Sequence, residues 1–144
     1  MQRKFVLSFL CLAFLMFNCT SEKNNSPEAE NKALAQSMFT AFNAHDWKRM
    51  AGYYSNDALF LDPASGPAYV SMPNDSIIKK YTEMAVGAPD IKDSIVGLFA
   101  EGDKVSVQFV SSGTSNGEHW ELPIATVLTI SKGKIIRDAT YYDK

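Results

Sequence analysis

An α+β domain, with three N-terminal helices followed by a mostly antiparallel sheet, is what this chain predicts. Three observations carry the prediction. Apolar residues recur at helical spacing as far as about residue 87, the pattern turns to alternation after Pro89, and glycine-containing turns divide the alternating part. Helices grouped ahead of strands imply helices packed on one face of a sheet. A length of 144 residues leaves room for one domain, with no internal repeat, and 46% hydrophobic against 21% charged residues is the balance of a globular chain.

The first residues stand apart from that domain. "MQRK" is a basic start, and "FVLSFLCLAFLMF", residues 5–17, is an apolar run of 13, short for a membrane span and suited to a signal peptide. The run ends on "FNC" before the polar stretch "TSEKNNSPEAENK". This resembles the lipobox of bacterial lipoproteins, with Phe17 and Asn18 in place of the usual small residues, as in the more tolerant Bacteroidetes type. The resemblance implies a signal peptide over residues 1–18, a lipidated Cys19 with a polar tether over 19–27, and a domain over 28–144. Export and a lipid anchor on the periplasmic or outer-membrane side follow as expectations. Cys11 falls inside the apolar run, so the mature chain keeps one cysteine and no internal disulfide. Loss of Arg3 and Lys4 leaves 12 basic against 16 acidic residues. No basic patch invites nucleic acid.

Ser26, Pro27, Glu28 and Glu30 are a helix start, with a cap, a proline in the first turn and acids near the positive end of the dipole. Leu34, Met38 and Phe42 then recur every four residues, with Ala41 beside them, and the helix should reach about Ala44. Asp46 can cap a short second helix carrying Trp47, Met50 and Tyr54. Asn74 or Asp75 can cap a third, in which Ile77, Tyr81 and Met84 share a face and Gly87 with Pro89 ends it.

Between the second and third helices, "YYSNDALFLDP" reads as a turn and then a strand, Ala58 to Leu61, ending on Asp62 and Pro63. Alternation puts Ala58, Phe60 and Asp62 on one face. An aspartate before proline is also an ordinary solvated turn opener. Beyond Pro89, turns at Glu101-Gly102-Asp103, Asn116-Gly117 and Lys132-Gly133 mark hairpins. In the strand "HWELPIATVLTIS", Leu122, Ile124, Thr126, Leu128 and Ile130 share a face on which Thr126 is the one polar member. Met38, Phe42, Tyr54, Phe60, Tyr81, Val107, Leu128 and Ile135 are expected in the interior.

The order of elements, "FNAHDWKRMAGYYSNDALFLDP", "LFAEGDKVSVQFVSSGT" and "ISKGKIIRDATYYD" together resemble the NTF2-like superfamily, nearest its SnoaL-like and ketosteroid-isomerase-like branch. The likeness spans about residues 30–143. It implies a cone, a curved sheet wrapped around helices and open at one end into an apolar pocket. In the isomerase-like members the aspartate of the "DP" step is the general base, which falls here on Asp62. Their two supporting tyrosines are matched by Tyr54 and Tyr81. Their first-helix tyrosine falls on Met38 and their late-strand acid near Thr126, so both oxyanion donors are missing. Loss of one such donor costs roughly a hundredfold to a thousandfold in rate, or about 3 to 4 kcal/mol. Steroid isomerisation by that route is therefore not expected.

Other chemistries have little footing. His45 and His119 have no carboxylate or cysteine at metal-ligand spacing, and there is no nucleophile elbow, phosphate loop or dinucleotide fingerprint. No metal and no cofactor are expected. Two readings remain open. One is a lipid-anchored cone that binds a small apolar molecule through Met38, Phe42, Tyr54, Phe60, Tyr81 and Thr126, with proton transfer at Asp62. The other is a non-catalytic domain with a filled cone, serving dimerisation or protein interaction. A homodimer is expected in either case. Burial should raise the pKa of Asp62, with any hydrogen bonds to it coming from Tyr54 or Tyr81.

Overall fold

The computed structural model describes residues 26–143; the signal peptide, Cys19 and all but the end of the tether expected from the sequence lie outside them. The elements are α1 (Pro27–Asn43), α2 (Trp47–Ala51), β1 (Tyr54–Leu61), β2 (Val70–Ser71), α3 (Asn74–Gly87), β3 (Lys92–Glu101), β4 (Lys104–Ser115), β5 (Glu118–Ser131) and β6 (Lys134–Tyr141). One six-stranded sheet has the order β2-β1-β6-β5-β4-β3, with every pair antiparallel except β1 and β6. Three helices on an open, mostly antiparallel sheet form the expected α+β cone.

Local chemistry explains most of the boundaries. The Ser26 hydroxyl accepts from the Ala29 N–H at the head of α1, and Asp46 Oδ1 accepts from the Arg49 N–H at the head of α2. Asn116 and Gly117, and likewise Lys132 and Gly133, have positive φ at both positions, the geometry that closes two-residue hairpins. Three boundaries differ from the sequence reading. The second helix, expected to carry Tyr54, ends at Ala51, because Tyr54 is drawn into the sheet opposite Ile135. α3 begins at Asn74 after Pro73 with no side-chain cap, so neither Asn74 nor Asp75 caps it. β1 begins at Tyr54, ahead of the expected Ala58, because a register irregularity between Tyr54 and Leu59 carries residues 55–57 within a strand where a turn was expected.

The core lies between α1, α2 and the concave face of the sheet. Met38, Phe39 and Phe42 of α1 pack with Val105, Val107, Leu128, Ile130 and Ile135. Asn43 joins the end of α1 to the start of β3: its Nδ2 donates to the Asp93 carbonyl at 2.8 Å and its Oδ1 accepts from the Asp93 N–H at 2.7 Å. All eight expected interior residues are found there, seven buried and Tyr81 half-buried against the rest.

Two strands break alternation. In β3, Ile95 opposes Phe109 while Gly97 opposes Gln108, so Val96 is an extra residue, 69% exposed. In β6, Ile135 opposes Ile130 while Arg137 opposes Thr129, so Ile136 is extra. Each bulge reverses the face of every residue on its far side. Asp93 and Ile95 therefore share the inner face with Leu98 and Ala100, and Asp138 and Thr140 share it with Ile135.

Candidate functional site

The inner face of each long strand passes from packed core to open cavity. In β5, Leu128 and Ile130 are buried in the core, while Leu122, Ile124 and Thr126 line a cavity of about 200 Å³. In β4, Val105 and Val107 fill the core and Phe109 with Ser111 lines the cavity. Helices α1 and α3 close the other side with Met38, Phe39, Phe42, Tyr81 and Met84. Such a volume is below the roughly 300 to 1,000 Å³ of sites for drug-sized ligands, so the occupant it fits is small.

Four ionisable carboxyl and amine groups line this apolar space: Asp62, Lys80, Asp93 and Asp138. Asp138 is buried. Tyr54 donates to its Oδ2 at 2.8 Å, and Thr126 and Thr140 donate to its Oδ1 at 2.5 and 3.1 Å. Thr126 reaches Asp138 diagonally across the strand pair, because Thr126 opposes Thr140 and Leu128 opposes Asp138. Burial pushes the Asp138 pKa up, against the three hydroxyls that favour its charged form. Burial, with the charge of Asp138 beside it, pushes the Tyr54 phenol well above its ordinary value.

Asp93 is the second carboxyl of the wall, 9% exposed. Its Oδ1 is buried with no hydrogen-bond partner among the described residues. Burial raises its pKa to about 6, with the Ser111 hydroxyl opposing. Tyr81 stands among all three aspartates: burial and then the charges of Asp138, Asp93 and Asp62 raise its pKa. The Tyr81 ring also completes an aromatic cluster, edge-on to Phe42 at 5.5 Å and stacked on Trp47 at 5.9 Å.

Asp62 lies on the cavity wall, as the "DP" step implied, but with other partners. Lys80 of α3 donates to its Oδ2 at 2.8 Å, Tyr142 donates to its Oδ1 at 2.8 Å, and the Ala64 N–H donates to Oδ1 at 2.9 Å. Burial raises the Asp62 pKa; Lys80, Ala64 and Tyr142 together outweigh it and hold the carboxyl below its ordinary range. The expected rise at Asp62 is thus corrected. Of the expected donors, Tyr54 donates to Asp138 instead and Tyr81 makes no hydrogen bond to Asp62, while a lysine stands in contact.

Of the other expected ligand contacts, Met38, Phe42, Tyr54, Tyr81 and Thr126 line the cavity. Phe60 does not; it lies behind the Tyr54 ring at 5.0 Å. The acid missing at Thr126 is present one strand away as Asp138, in contact with that threonine. Lys80, Asp93, Asp138 and Tyr142 escaped the sequence reading. Thr126 was the available signal, since a lone hydroxyl on an apolar strand face needs a buried partner. His45 stacks on Trp47 at 4.9 Å, and its Nε2 lies 2.8 Å from the Ile91 carbonyl, away from the cavity wall.

Residues 35–138 match the model of the SnoaL-like domain, and the chain belongs to that family. No curated protein matches it. Among solved structures it is similar to a protein of ketosteroid isomerase-like fold from Catenulispora acidiphila, crystallised with trimethylamine. The two are 19% identical, over 76% of this chain and 85% of that one, with a TM-score of 0.68. It is similar also to IdmH of Streptomyces antibioticus, described as a candidate polyketide cyclase, at 18% identity over 78% and 91% of the two chains and a TM-score of 0.70. An LEH-like epoxide hydrolase of M. tuberculosis is 13% identical over 81% and 84%, with a TM-score of 0.69. At these identities the likeness is one of fold.

Asp93 gives stability a defined pH dependence. Its folded pKa, about 6, lies above the ordinary value of 3.8. The native state therefore holds the proton more tightly, and stability falls as pH rises from about 4 to 6, then levels. Asp93→Asn removes this loss, which amounts to at most about 3 kcal/mol at roughly 1.4 kcal/mol per pH unit. Urea unfolding at pH 4.5 and pH 7 should show a smaller difference for the variant than for the wild type; an unchanged difference contradicts the placement of Asp93.

Proposed function

We propose that the cone binds one small, mostly apolar molecule and that the Asp138 carboxyl moves a proton to or from it. The reading rests on one observation: a carboxyl buried in the wall of an apolar cavity, met by three hydroxyls and by no ion pair among the described residues. Its raised pKa brings it toward the range in which a carboxyl exchanges protons near neutral pH. Asp62 is driven the other way by Lys80. Carboxyls whose surroundings push them apart take separate acid–base roles.

In this reading Asp62 stays ionised, and with Lys80 and Tyr142 it forms a polar rim that orients the ligand. The Lys80 ammonium is suited to stabilise negative charge developing on a ligand oxygen. The general-base role expected at Asp62 passes to Asp138, while Met38, Phe42, Tyr81 and Thr126 shape the walls. The folds similar to this one include a candidate polyketide cyclase and an epoxide hydrolase, which supports chemistry on small organic molecules. The existence of a cavity disfavours the alternative of a filled, non-catalytic cone.

Exchange of the α-protons of cyclohexanone into deuterated buffer, followed by proton NMR, tests proton transfer without the natural substrate. The protein should accelerate exchange, and Asp138→Asn should lose about a hundredfold or more of that acceleration. Exchange at the buffer rate in the wild type, or an undiminished rate in the variant, contradicts the proposal.

We also propose that the mature chain begins at an acylated Cys19 and is held on the periplasmic or outer-membrane side by that lipid. The basic start, the apolar run of 13 and the cysteine ahead of a polar stretch support this. Cys19→Ser should leave the membrane fraction with a changed mass. Retention there at unchanged mass would remove the anchor.

A further inference from the structure

The charges lining the cavity do not balance. Asp62 is neutralised by Lys80 at 2.8 Å, and Asp138 is answered by Tyr54, Thr126 and Thr140. Asp93 has the Ser111 hydroxyl alone, with no cation beside it among the described residues. It lies on β3 opposite Ser111, its side chain lines the cavity, it is nine-tenths buried, and its Oδ1 takes no hydrogen bond among the described residues. A buried carboxylate left in this condition calls for a partner, and a group bound in the cavity is in position to be one.

Resting on the cone-binding reading, we propose that the ligand carries a protonated amine, which is held beside Asp93. Three features of the wall favour an ammonium over a neutral hydroxyl. The first is the uncompensated carboxyl itself. The second is the aromatic lining: Phe109 lies on the same inner face two residues from Ser111, and Phe39, Phe42, Tyr81 and Trp120 line the same space. Aromatic faces attract cations once water is excluded. The third is that Lys80, the one lysine or arginine lining the cavity among the described residues, is already bound to Asp62, so none of these residues offers Asp93 a free cation. A metal ion fits less well, since no group of three metal-ligating side chains occurs among the described residues. The ligand class is a small apolar amine of about one ring.

The binding should depend on pH through Asp93. Other titratable groups facing the cavity are Tyr54 on β1, Asp62 after it, Lys80 and Tyr81 on α3, Asp138 on β6 and Tyr142 beyond it. His45, after α1, lies behind Ile91. The phenols are raised or remain neutral throughout the acid range, and Asp62 is held ionised. Asp138 is raised and is the other group that can contribute, so the variant at Asp93 is needed to separate them.

The probes are benzylamine, benzyl alcohol and benzoate, with calorimetry on wild type and Asp93→Asn. The variant keeps the shape of the side chain, and the bonds from Asn43 go to the Asp93 backbone, which the substitution retains. Protonated benzylamine should bind wild type at least tenfold more tightly than benzyl alcohol at pH 7.5. Its affinity should fall about tenfold by pH 5, as a carboxyl of pKa about 6 takes up its proton. Asp93→Asn should lose both the preference and most of the pH dependence. Equal binding of amine and alcohol, tighter binding of benzoate, or a preference that survives in the variant overturns the amine and leaves the cone as a binding site. Failure of all three probes to bind overturns both. Should the variant not fold, the charge preference and pH profile of the wild type decide the matter.

Discussion

The site depends on two extra residues in the sheet. Side chains on a strand alternate between faces, so one inserted residue turns everything beyond it around. Val96 in β3 and Ile136 in β6 are those insertions. Without the first, the alternation that places Leu98 and Ala100 in the core would put Asp93 outside. Without the second, the alternation that buries Ile135 would do the same to Asp138. Bulges that aim one side chain are common beside functional sites. Here two of them add carboxyls to a wall made largely of methionine, isoleucine, leucine and aromatic rings, which Asp62 and Lys80 also line.

Placing acids in such a wall is unfavourable unless each has a partner, and the three aspartates differ in what they have. Asp62 has a lysine, a phenol and a backbone N–H, and is held as a carboxylate. Asp138 has three hydroxyls and no ion pair among the described residues, and its pKa rises. Asp93 has the least, and its pKa reaches about 6. One small cavity thus offers one carboxyl of lowered and two of raised proton affinity around Tyr81, which feels all three. The difference comes from contacts set by topology. Lys80 reaches Asp62 from α3, Tyr142 reaches it from beyond β6, and Thr126 reaches Asp138 from β5.

What the sequence made legible was local. The caps at Ser26 and Asp46, the helical spacing of Met38 and Phe42, and the hairpins at Asn116-Gly117 and Lys132-Gly133 are each determined within a few residues, and the structure has them. The apolar cone and the position of Asp62 on its wall followed from the resemblance carried by longer stretches. Thr126 stood out as the one polar side chain on its strand face. The partners of Asp62 were hidden because they lie 18 and 80 residues away, and without Lys80 the direction of its pKa came out reversed. Asp93 and Asp138 were hidden for a different reason. A period-two pattern carries no mark of a bulge at Val96 or Ile136, both of which are ordinary strand residues, so alternation counted across either one assigns the wrong face.

A carboxyl carbon-13 NMR titration of the three aspartates measures the central claim directly, since it reports each environment separately. Asp62 should titrate below the ordinary value of 3.8, Asp93 near 6 and Asp138 above the ordinary value. Ordinary values for both Asp93 and Asp138 would mean that these side chains face water, and would contradict the turning of the two strands on which the site is built.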